Sequence, residues 1–265
     1  MNPLLAVEHL TVTYDHSIPV LKDIQLTIGH REIVAIVGES GCGKTTLLKT
    51  MIHTLPANAQ ITEGQIYFNG KDLRARSNKE WRKILGCEIA VIFQNPSAFF
   101  SPIMKIKQHF IRSIQSHQVI SKQDALQKSR LALQKMHFAT LDIERILTSY
   151  PFELSGGMMQ RVAIALAMVL KPKLLLADEP TSALDVITQH EILKAFVNIR
   201  DEFNTSIFMI THNLRSAAQI ADRIVVMSKG QIVECAPTKQ LFSSPQSDYT
   251  KKLLDAIPSV NEVVT

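Results

Sequence analysis

The sequence predicts an α/β fold with a mainly parallel sheet core, an N-terminal antiparallel β subdomain and an inserted α-helical subdomain. Three apolar runs, "EIVAIV", "KLLLADE" and "SIFMITH", are typical of parallel strands that are buried on both faces. The first run leads directly into the glycine-rich "GESGCGKTT", and a helix-periodic stretch separates it from the other two. A chain of 265 residues with 46% apolar content can bury such a core.

The N-terminal part is predicted to be rich in strands. "LTVTY" and "IQLTI" alternate between apolar and polar residues, as short half-buried strands do, and Ile33 to Val37 predicts a buried parallel strand. A helix is expected from Lys44. Gly64 and Gly70 flank "QIYFNG", which predicts another short strand and a turn, and "EIAVIFQN" predicts a second buried strand.

Residues from about 96 to 160 are predicted to form the inserted helical subdomain. The helical pattern runs from Pro96 to Tyr150, and Ser121 and Asp124 have the spacing of a capping box. Beyond it the two remaining apolar runs predict core strands, separated by a helix over 187–203.

The C-terminal part is predicted to contain a hairpin and a tail. "RIVVMSKGQIVECA" predicts a β-hairpin that turns at Lys229 and Gly230, and a polar, helix-prone segment follows. We therefore expect one domain over residues 1–240 and a tail over residues 241–265.

Composition excludes several classes of protein. Lys and Arg outnumber Asp and Glu by 29 to 24, a modest and scattered excess that is compatible with phosphate or acidic surfaces without choosing among them. Cys42, Cys87 and Cys235 are too few and too dispersed for a disulfide framework or a paired-cysteine zinc site. We find no signal peptide and no run long enough to span a membrane, so we expect a soluble, cytoplasmic protein.

The loop at 38–46 matches the phosphate-binding pattern G-x-x-x-x-G-K-[ST] between a strand and a helix. Glycines let the backbone N–H groups point inward, and the helix N-terminus adds partial positive charge, so the loop suits a chain of phosphates. Lys44 would reach the β and γ phosphates of ATP, and Thr45 would offer its hydroxyl to Mg²⁺. A P-loop NTPase core is therefore predicted, and its candidate ATP-binding residues are Gly38, Glu39, Ser40, Gly41, Cys42, Gly43, Lys44, Thr45 and Thr46.

A pair of carboxylates ends the apolar run "LLLADE". Asp178 at a strand end suits Mg²⁺, mostly through water, and Glu179 beside it can polarise the attacking water as a general base. Such pairs are also common surface features. The phosphate loop elsewhere in the chain favours the interpretation that Asp178 and Glu179 act in Mg²⁺ binding and catalysis.

"LSGGMMQR", residues 154–161, is similar to the signature sequence of ATP-binding-cassette (ABC) ATPases, whose usual form is L-S-G-G-Q. Met158 replaces the usual glutamine. Four other positions resemble family motifs in family order: Tyr14 for adenine stacking, Gln94 of the Q-loop, Asp185 in the D-loop "SALD", and the switch histidine His212. The resemblance covers residues 1 to about 235.

This resemblance implies roles for further residues. Glu179, His212 and Gln94 would be catalytic, and Thr45, Gln94 and Asp178 would hold Mg²⁺. Ser155, Gly156 and Gly157 would leave a helix N-terminus bare for a phosphate contact. In the family that contact is made in trans, to ATP held by the phosphate loop of a second cassette.

Several stretches resemble the branch of the family that powers uptake of peptides, nickel and metal chelates. They are "GESGCGKTT", the methionine after the signature glycines, "FQNPSAFFSP", and the tail "SSPQSDYTKKLLDAIP". No cysteine follows Cys235, and in this the chain resembles the shorter nickel and metallophore importers. The ATPase of an exporter, and a soluble non-transport ABC ATPase such as those of iron-sulfur assembly, are the alternatives.

The resemblance also implies the partners and the location. They are a second ABC ATPase subunit, identical or related, two integral membrane permease subunits and an extracytoplasmic solute-binding protein, with no nucleic acid. The chain would lie at the cytoplasmic face of the cell membrane as a peripheral subunit. Phe99 and Phe100 in "FFSP" are candidate contacts for a partner helix, with burial in the helical subdomain as the alternative.

Overall fold

A computed structural model describes residues 2–15, 18–182 and 184–256 of the chain, which divides into two compact units. The first unit comprises residues 1–77 and 199–265, and the second comprises residues 78–198. The strands are β1 Leu5–Tyr14, β2 Pro19–Ile28, β3 Ile33–Val37, β4 Ala59–Phe68, β5 Lys71–Asp72, β6 Ile89–Ile92, β7 Leu174–Asp178, β8 Ser206–Ile210, β9 Arg223–Ser228 and β10 Gln231–Pro237. The α-helices are α1 Lys44–Met51, α2 Asn78–Ile84, α3 Ile106–Gln115, α4 Lys122–Lys135, α5 Thr140–Thr148, α6 Gly156–Met168, α7 Val186–Phe203, α8 Leu214–Ile220, α9 Thr238–Ser243 and α10 Asp248–Asp255.

In the first unit, β2, β1, β4 and β5 form an antiparallel sheet in that order. The expectation of a short strand after Gly64 is wrong at its N-terminal end, because β4 begins at Ala59, where it pairs with Tyr14. Gly64 lies inside this strand at φ 84°, next to the register shift opposite β1. A side chain there would meet the carbonyl oxygens of Glu8 and His9 at 2.4 Å, so the glycine permits the irregularity rather than ending the strand.

The first unit also contains the buried parallel strands that the sequence predicts. β3 pairs in parallel with β8 on one side and β9 on the other, and β3 and β8 are buried along their whole length. The predicted hairpin joins β9 to β10, and Lys229 and Gly230 turn it at positive φ. Ile36 of β3 lies opposite Ile210 of β8, so the segments that follow these strands emerge at the same edge.

In the second unit, β6 and β7 pair in parallel, with Ile92 opposite Ala177, and helices α3 to α6 pack around apolar residues that include Phe110 and Leu133. The predicted cap of α4 is confirmed, because the Ser121 hydroxyl accepts a hydrogen bond from the Asp124 amide at 3.1 Å. This unit supplies the strand ends and the helix that carry the carboxylates and the signature.

Two sequence expectations lie partly outside the described residues. α9 and α10 confirm that the tail is helix-prone as far as residue 256, whereas residues 257–265 are not described. Ala183 of the D-loop is likewise not described. None of the helices in the described ranges is both long enough and apolar enough to cross a lipid bilayer.

Candidate functional site

The phosphate loop, residues 38–46, leaves β3 and leads into α1, which begins at Lys44 as predicted. Gly43 is the N-cap residue of this helix at φ 109°, and no side chain caps it. No N-cap side chain therefore competes for the first amide groups of the helix, which together with the helix dipole suit an anion. This is the arrangement that a phosphate chain requires.

The Lys44 ammonium is folded into the phosphate loop, and the residue is only 7% exposed. Its Nζ donates to the carbonyl oxygens of Gly38 and Glu39, both at 2.8 Å. A buried ammonium held by neutral carbonyls gains from an anionic partner. The donor set of this loop therefore fits the phosphates of ATP.

Long-range contacts hold the phosphate loop from outside, and the sequence reasoning missed them. The Cys42 carbonyl accepts from the Gly230 amide at 3.0 Å, and the Glu39 amide donates to the Tyr249 hydroxyl at 3.3 Å. A side chain at Gly38 would come within 2.1 Å of the Met227 carbonyl oxygen. These partners are about 190 to 210 positions away in the chain, so no local pattern indicates them.

Two other predicted residues of the first unit can be placed relative to the phosphate loop. His212 is exposed in the turn after β8, at the edge where the loop leaves β3. Tyr14 ends β1, whose neighbour β2 approaches the loop, because a side chain at Gly43 would lie 2.8 Å from the Leu21 side chain. Within the loop, Glu39, Ser40, Gly41 and Thr45 are exposed, Thr46 is half-buried, and Cys42 is buried.

In the second unit the predicted carboxylates and Gln94 meet at one edge of the β6–β7 pair. Asp178 ends β7 and is only 7% exposed, and Glu179 follows it at φ 46°, an unfavourable backbone conformation for a glutamate. The Gln94 amide nitrogen donates to a Glu179 carboxylate oxygen at 3.1 Å. The structure therefore brings together the Q-loop glutamine and the candidate general base.

The D-loop links Glu179 to the start of α7. The Ser182 hydroxyl donates to the Glu179 carbonyl at 3.0 Å. Asp185 accepts from the Thr188 amide at 2.9 Å and from the Thr188 hydroxyl at 2.7 Å, which caps α7. These hydrogen bonds, first from the amide and then from the hydroxyl, lower the pKa of Asp185.

The signature residues begin α6 and line a cavity of about 410 Å³ beside the D-loop. We call this cavity the signature surface, and its lining residues are Ser155, Gly156, Gly157, Met158, Arg161, Leu184, Asp185, Thr188 and Glu191. The expectation of a bare helix N-terminus is wrong for one group, because the Ser155 hydroxyl accepts from the Met158 amide at 3.4 Å. Ser155 and Gly156 are nonetheless exposed, and Gly157 lies so close to Thr188 that a side chain there would come within 2.8 Å.

The structure exposes one of the two phenylalanines that were predicted to contact a partner and buries the other. Phe99 is 59% exposed and stacks on Phe93 with ring centroids 4.4 Å apart, which leaves a face for a partner. Phe100 is only 6% exposed and packs against His109, so its assignment as an exposed anchor is wrong. Among the described residues no group of three His, Cys, Asp or Glu side chains is arranged to hold a metal ion by itself.

Comparison with known proteins gives concordant results. A family model described as ABC transporter matches residues 21–182. The metal-staphylopine import system ATP-binding protein CntD of Staphylococcus aureus is 38% identical over 98% of this chain and 95% of its own length. The dipeptide transport ATP-binding protein DppD of Caldanaerobacter subterraneus is 38% identical over 98% of this chain and 80% of its own length.

A solved structure of the ATP-binding cassette MJ0796, dimeric and in a post-hydrolysis state with ADP and Pi, has a TM-score of 0.77 and 27% identity to this chain. The match covers 88% of this chain and 98% of that one. The chain therefore belongs to the ABC transporter family, has the cassette fold, and is an ATP-binding ATPase of that family.

Proposed function

We propose that this member of the ABC transporter family powers an importer for peptides or metal chelates, nickel complexes included. The observation that carries the proposal is the 38% identity to CntD along nearly the whole of both chains. DppD, a dipeptide transport protein, is equally similar, and this supports peptides as the second substrate class. Other subunits would recognise the cargo, and this chain would supply the energy by hydrolysing ATP.

The placement of several side chains supports the proposed roles in hydrolysis. Lys44 would leave the Gly38 and Glu39 carbonyls for the β and γ phosphates, the residues of the phosphate loop would hold those phosphates through backbone amides, and Tyr14 would stack on adenine. His212 would contact the γ-phosphate. Mg²⁺, when bound, would neutralise charge on the phosphate oxygens, and Thr45, Gln94 and Asp178 would hold it.

Glu179 would act as the general base. It would accept a proton from a water whose oxygen attacks the γ-phosphorus while the bond to the ADP oxygen breaks. The hydrogen bond from Gln94 orients the Glu179 carboxylate before ATP arrives. Glu179 has a left-handed backbone conformation, and such strained positions are common at active sites.

A second cassette, either a copy or a relative, would complete the nucleotide site. The signature surface is exposed, and Val186 and Ile187 beside it are 80% and 76% exposed, so an apolar face borders the cavity. The MJ0796 cassette is dimeric in its structure with ADP and Pi, and this supports pairing with a second cassette. ATP would then favour the closed dimer, and hydrolysis would release it as a conformational step for the channel.

The proposed membrane partners are two permease subunits, with an extracytoplasmic solute-binding protein acting through them. The chain would lie peripherally at the cytoplasmic face of the membrane. The exposed face of Phe99 after the Q-loop is the proposed permease contact, because it is an apolar surface close in sequence to Gln94.

The function is tested with a Glu179→Gln chain assembled with its permease. The substitution keeps size and leaves an oxygen that can accept from Gln94, but it removes basicity. We expect ATP hydrolysis and transport to fall by about 10² to 10⁴-fold while ATP still binds. Hydrolysis by this variant at the wild-type rate would contradict the role of Glu179. Hydrolysis by the wild-type chain that does not respond to permease and cargo would contradict the importer function.

A further inference from the structure

The peptide group between Gly38 and Glu39 is hydrogen-bonded at both of its ends. Its carbonyl oxygen accepts from Lys44 Nζ at 2.8 Å, and its N–H donates to the Tyr249 hydroxyl at 3.3 Å. The first partner belongs to the phosphate loop itself, whereas the second belongs to α10, near the C-terminal end of the described chain. One peptide plane therefore connects the nucleotide-binding lysine with the C-terminal segment.

α10 is seated firmly enough to act on the phosphate loop. The two carboxylate oxygens of Glu234 on β10 accept from the Gln246 and Ser247 amides, both at 2.9 Å. The Ser247 hydroxyl then caps α10 by accepting from the Tyr249 amide at 3.2 Å. The Tyr249 hydroxyl accepts from the Glu39 amide, and burial raises the pKa of this tyrosine above its ordinary value, so the side chain is neutral at neutral pH.

We propose that Tyr249 is a positioning residue of the nucleotide site, through which α10 holds the phosphate loop in its binding conformation. This inference rests on the proposed function, because it assumes that Lys44 binds ATP phosphates. We call the hydrogen bond from the Glu39 amide to the Tyr249 hydroxyl the brace. Tyr249 lies beyond residues 21–182, which the family model matches, so the brace is separate from the cassette motifs.

The brace acts mainly in the nucleotide-bound state. Without ATP, the peptide between Gly38 and Glu39 is held by both Lys44 and Tyr249. When Lys44 turns to the phosphates it releases the Gly38 carbonyl, and Tyr249 is then the partner that keeps this peptide plane from rotating. Losing the Tyr249 hydrogen bond should therefore destabilise the ATP-bound loop more than the nucleotide-free loop, and this difference weakens ATP binding.

The test compares Tyr249→Phe with Tyr67→Phe, each in the full chain. Tyr249→Phe removes the hydroxyl and keeps the ring, whereas Tyr67 bonds with Gln65 on β4 in the same unit and serves as the control. Binding of ATP in excess chelator, where no hydrolysis occurs, is measured by calorimetry. A lost hydrogen bond of ordinary strength predicts a rise in Kd of about 3 to 10-fold for Tyr249→Phe.

A structural role would lower the melting temperature without nucleotide, and positioning would not. We expect the nucleotide-free Tm of Tyr249→Phe to stay within about 2 °C of wild type. Amide hydrogen exchange in residues 38–43, followed with ATP bound, is expected to speed up in this variant and not in Tyr67→Phe.

A second variant approaches the brace from the other side. Glu234→Gln leaves one of the two oxygens that hold the Gln246 and Ser247 amides, so α10 is loosened while the Tyr249 hydroxyl is kept. Both variants act through one contact, so their effects on Kd are expected to be less than additive in the double variant. Full additivity would contradict the brace.

The possible failures are distinguishable. If wild type binds ATP and Tyr249→Phe binds it equally well or more tightly, the brace is wrong and the proposed function stands. If wild type does not bind ATP, the proposed function fails and the brace fails with it.

Discussion

The phosphate loop and the signature surface are built in opposite ways. The phosphate loop has a buried lysine and two buried glycines, Gly38 and Gly43, and is held by residues about 190 to 210 positions away, Gly230 and Tyr249 among them. The signature surface is partly exposed, and its helix caps are local, since Ser155 bonds with Met158 and Asp185 with Thr188. Its Arg161 side chain donates to the Met136 carbonyl, which is 25 positions away. The phosphate loop is thus supported by residues of its own unit, whereas the signature surface is left partly exposed.

This difference bears on function. A loop that must wrap around phosphates needs an ordered backbone, and hydrogen bonds from the turn between β9 and β10 and from α10 hold that backbone. A surface that must meet a second cassette needs caps that keep its helix ends intact while leaving its outer face free. Substitutions in the phosphate loop should therefore lower the stability of the fold, and substitutions at the signature surface should impair assembly with a second cassette.

The largest expected contrast is between Gly38→Ala and Gly156→Ala. A methyl group at 38 would meet the Met227 carbonyl oxygen at 2.1 Å, whereas at 156 its nearest neighbour is the Leu184 side chain at 4.0 Å. Overpacking against backbone costs about 1 to 3 kcal/mol or more, so Gly38→Ala should lower Tm by about 5 to 10 °C. Gly156→Ala should leave Tm unchanged or slightly raised, because alanine favours the helix.

Thermal denaturation followed by circular dichroism measures both variants. Comparable losses of Tm in the two variants would remove the contrast, since they would mean that the signature surface is packed as tightly as the phosphate loop.

The smallest expected effect concerns the pH response of Asp185. The Thr188 amide and hydroxyl depress the pKa of this exposed carboxylate in the folded state. The stabilisation of the α7 cap is therefore present above the unfolded-state pKa and is lost as the pH falls through the lower folded-state pKa. Thr188→Ala removes the hydroxyl but keeps the amide, so it should raise the pKa of Asp185 only part of the way towards its ordinary value, whereas Thr188→Ser should keep it low.

NMR titration of the Asp185 side-chain carboxyl carbon measures this response. An ordinary pKa in the wild-type chain would contradict the cap, and equal values in the Ala and Ser variants would show that the Thr188 hydroxyl does not contribute to it.

Sequence reasoning predicted the parts of the site whose cause is local. The phosphate loop lies between β3 and α1, and the apolar runs that became β7 and β8 are fully buried, because glycine spacing and apolar runs act over a few residues. The start of β4 was missed, since its pairing with Tyr14 depends on a partner strand. The burial of Phe100 was only the alternative expectation, because its contact with His109 depends on how α3 packs.

The supports of the phosphate loop were beyond prediction for the same reason. Neither Gly230 nor Tyr249 carries a motif that points to residues 38–46, and only the folded chain brings them to Cys42 and Glu39. The hydrogen bond between Gln94 and Glu179 joins two residues that the sequence had singled out separately, but their proximity requires the pairing of β6 with β7.

The central claim is that the complete nucleotide site combines the phosphate loop of one cassette with the signature surface of another. In a purified preparation the second cassette can only be another copy of this chain. A Lys44→Ala chain keeps an intact signature surface, and a Ser155→Arg chain keeps an intact phosphate loop. Each variant alone is expected to show almost no ATPase activity.

Mixing the two variants in equal amounts and measuring ATP hydrolysis tests the claim most directly. About half of the dimers would then be mixed, and each mixed dimer would hold one site with both halves intact, so activity should return to about a quarter of wild type. Provided that the wild-type chain alone hydrolyses ATP as a dimer, a mixture no more active than the two variants assayed separately would contradict the shared site.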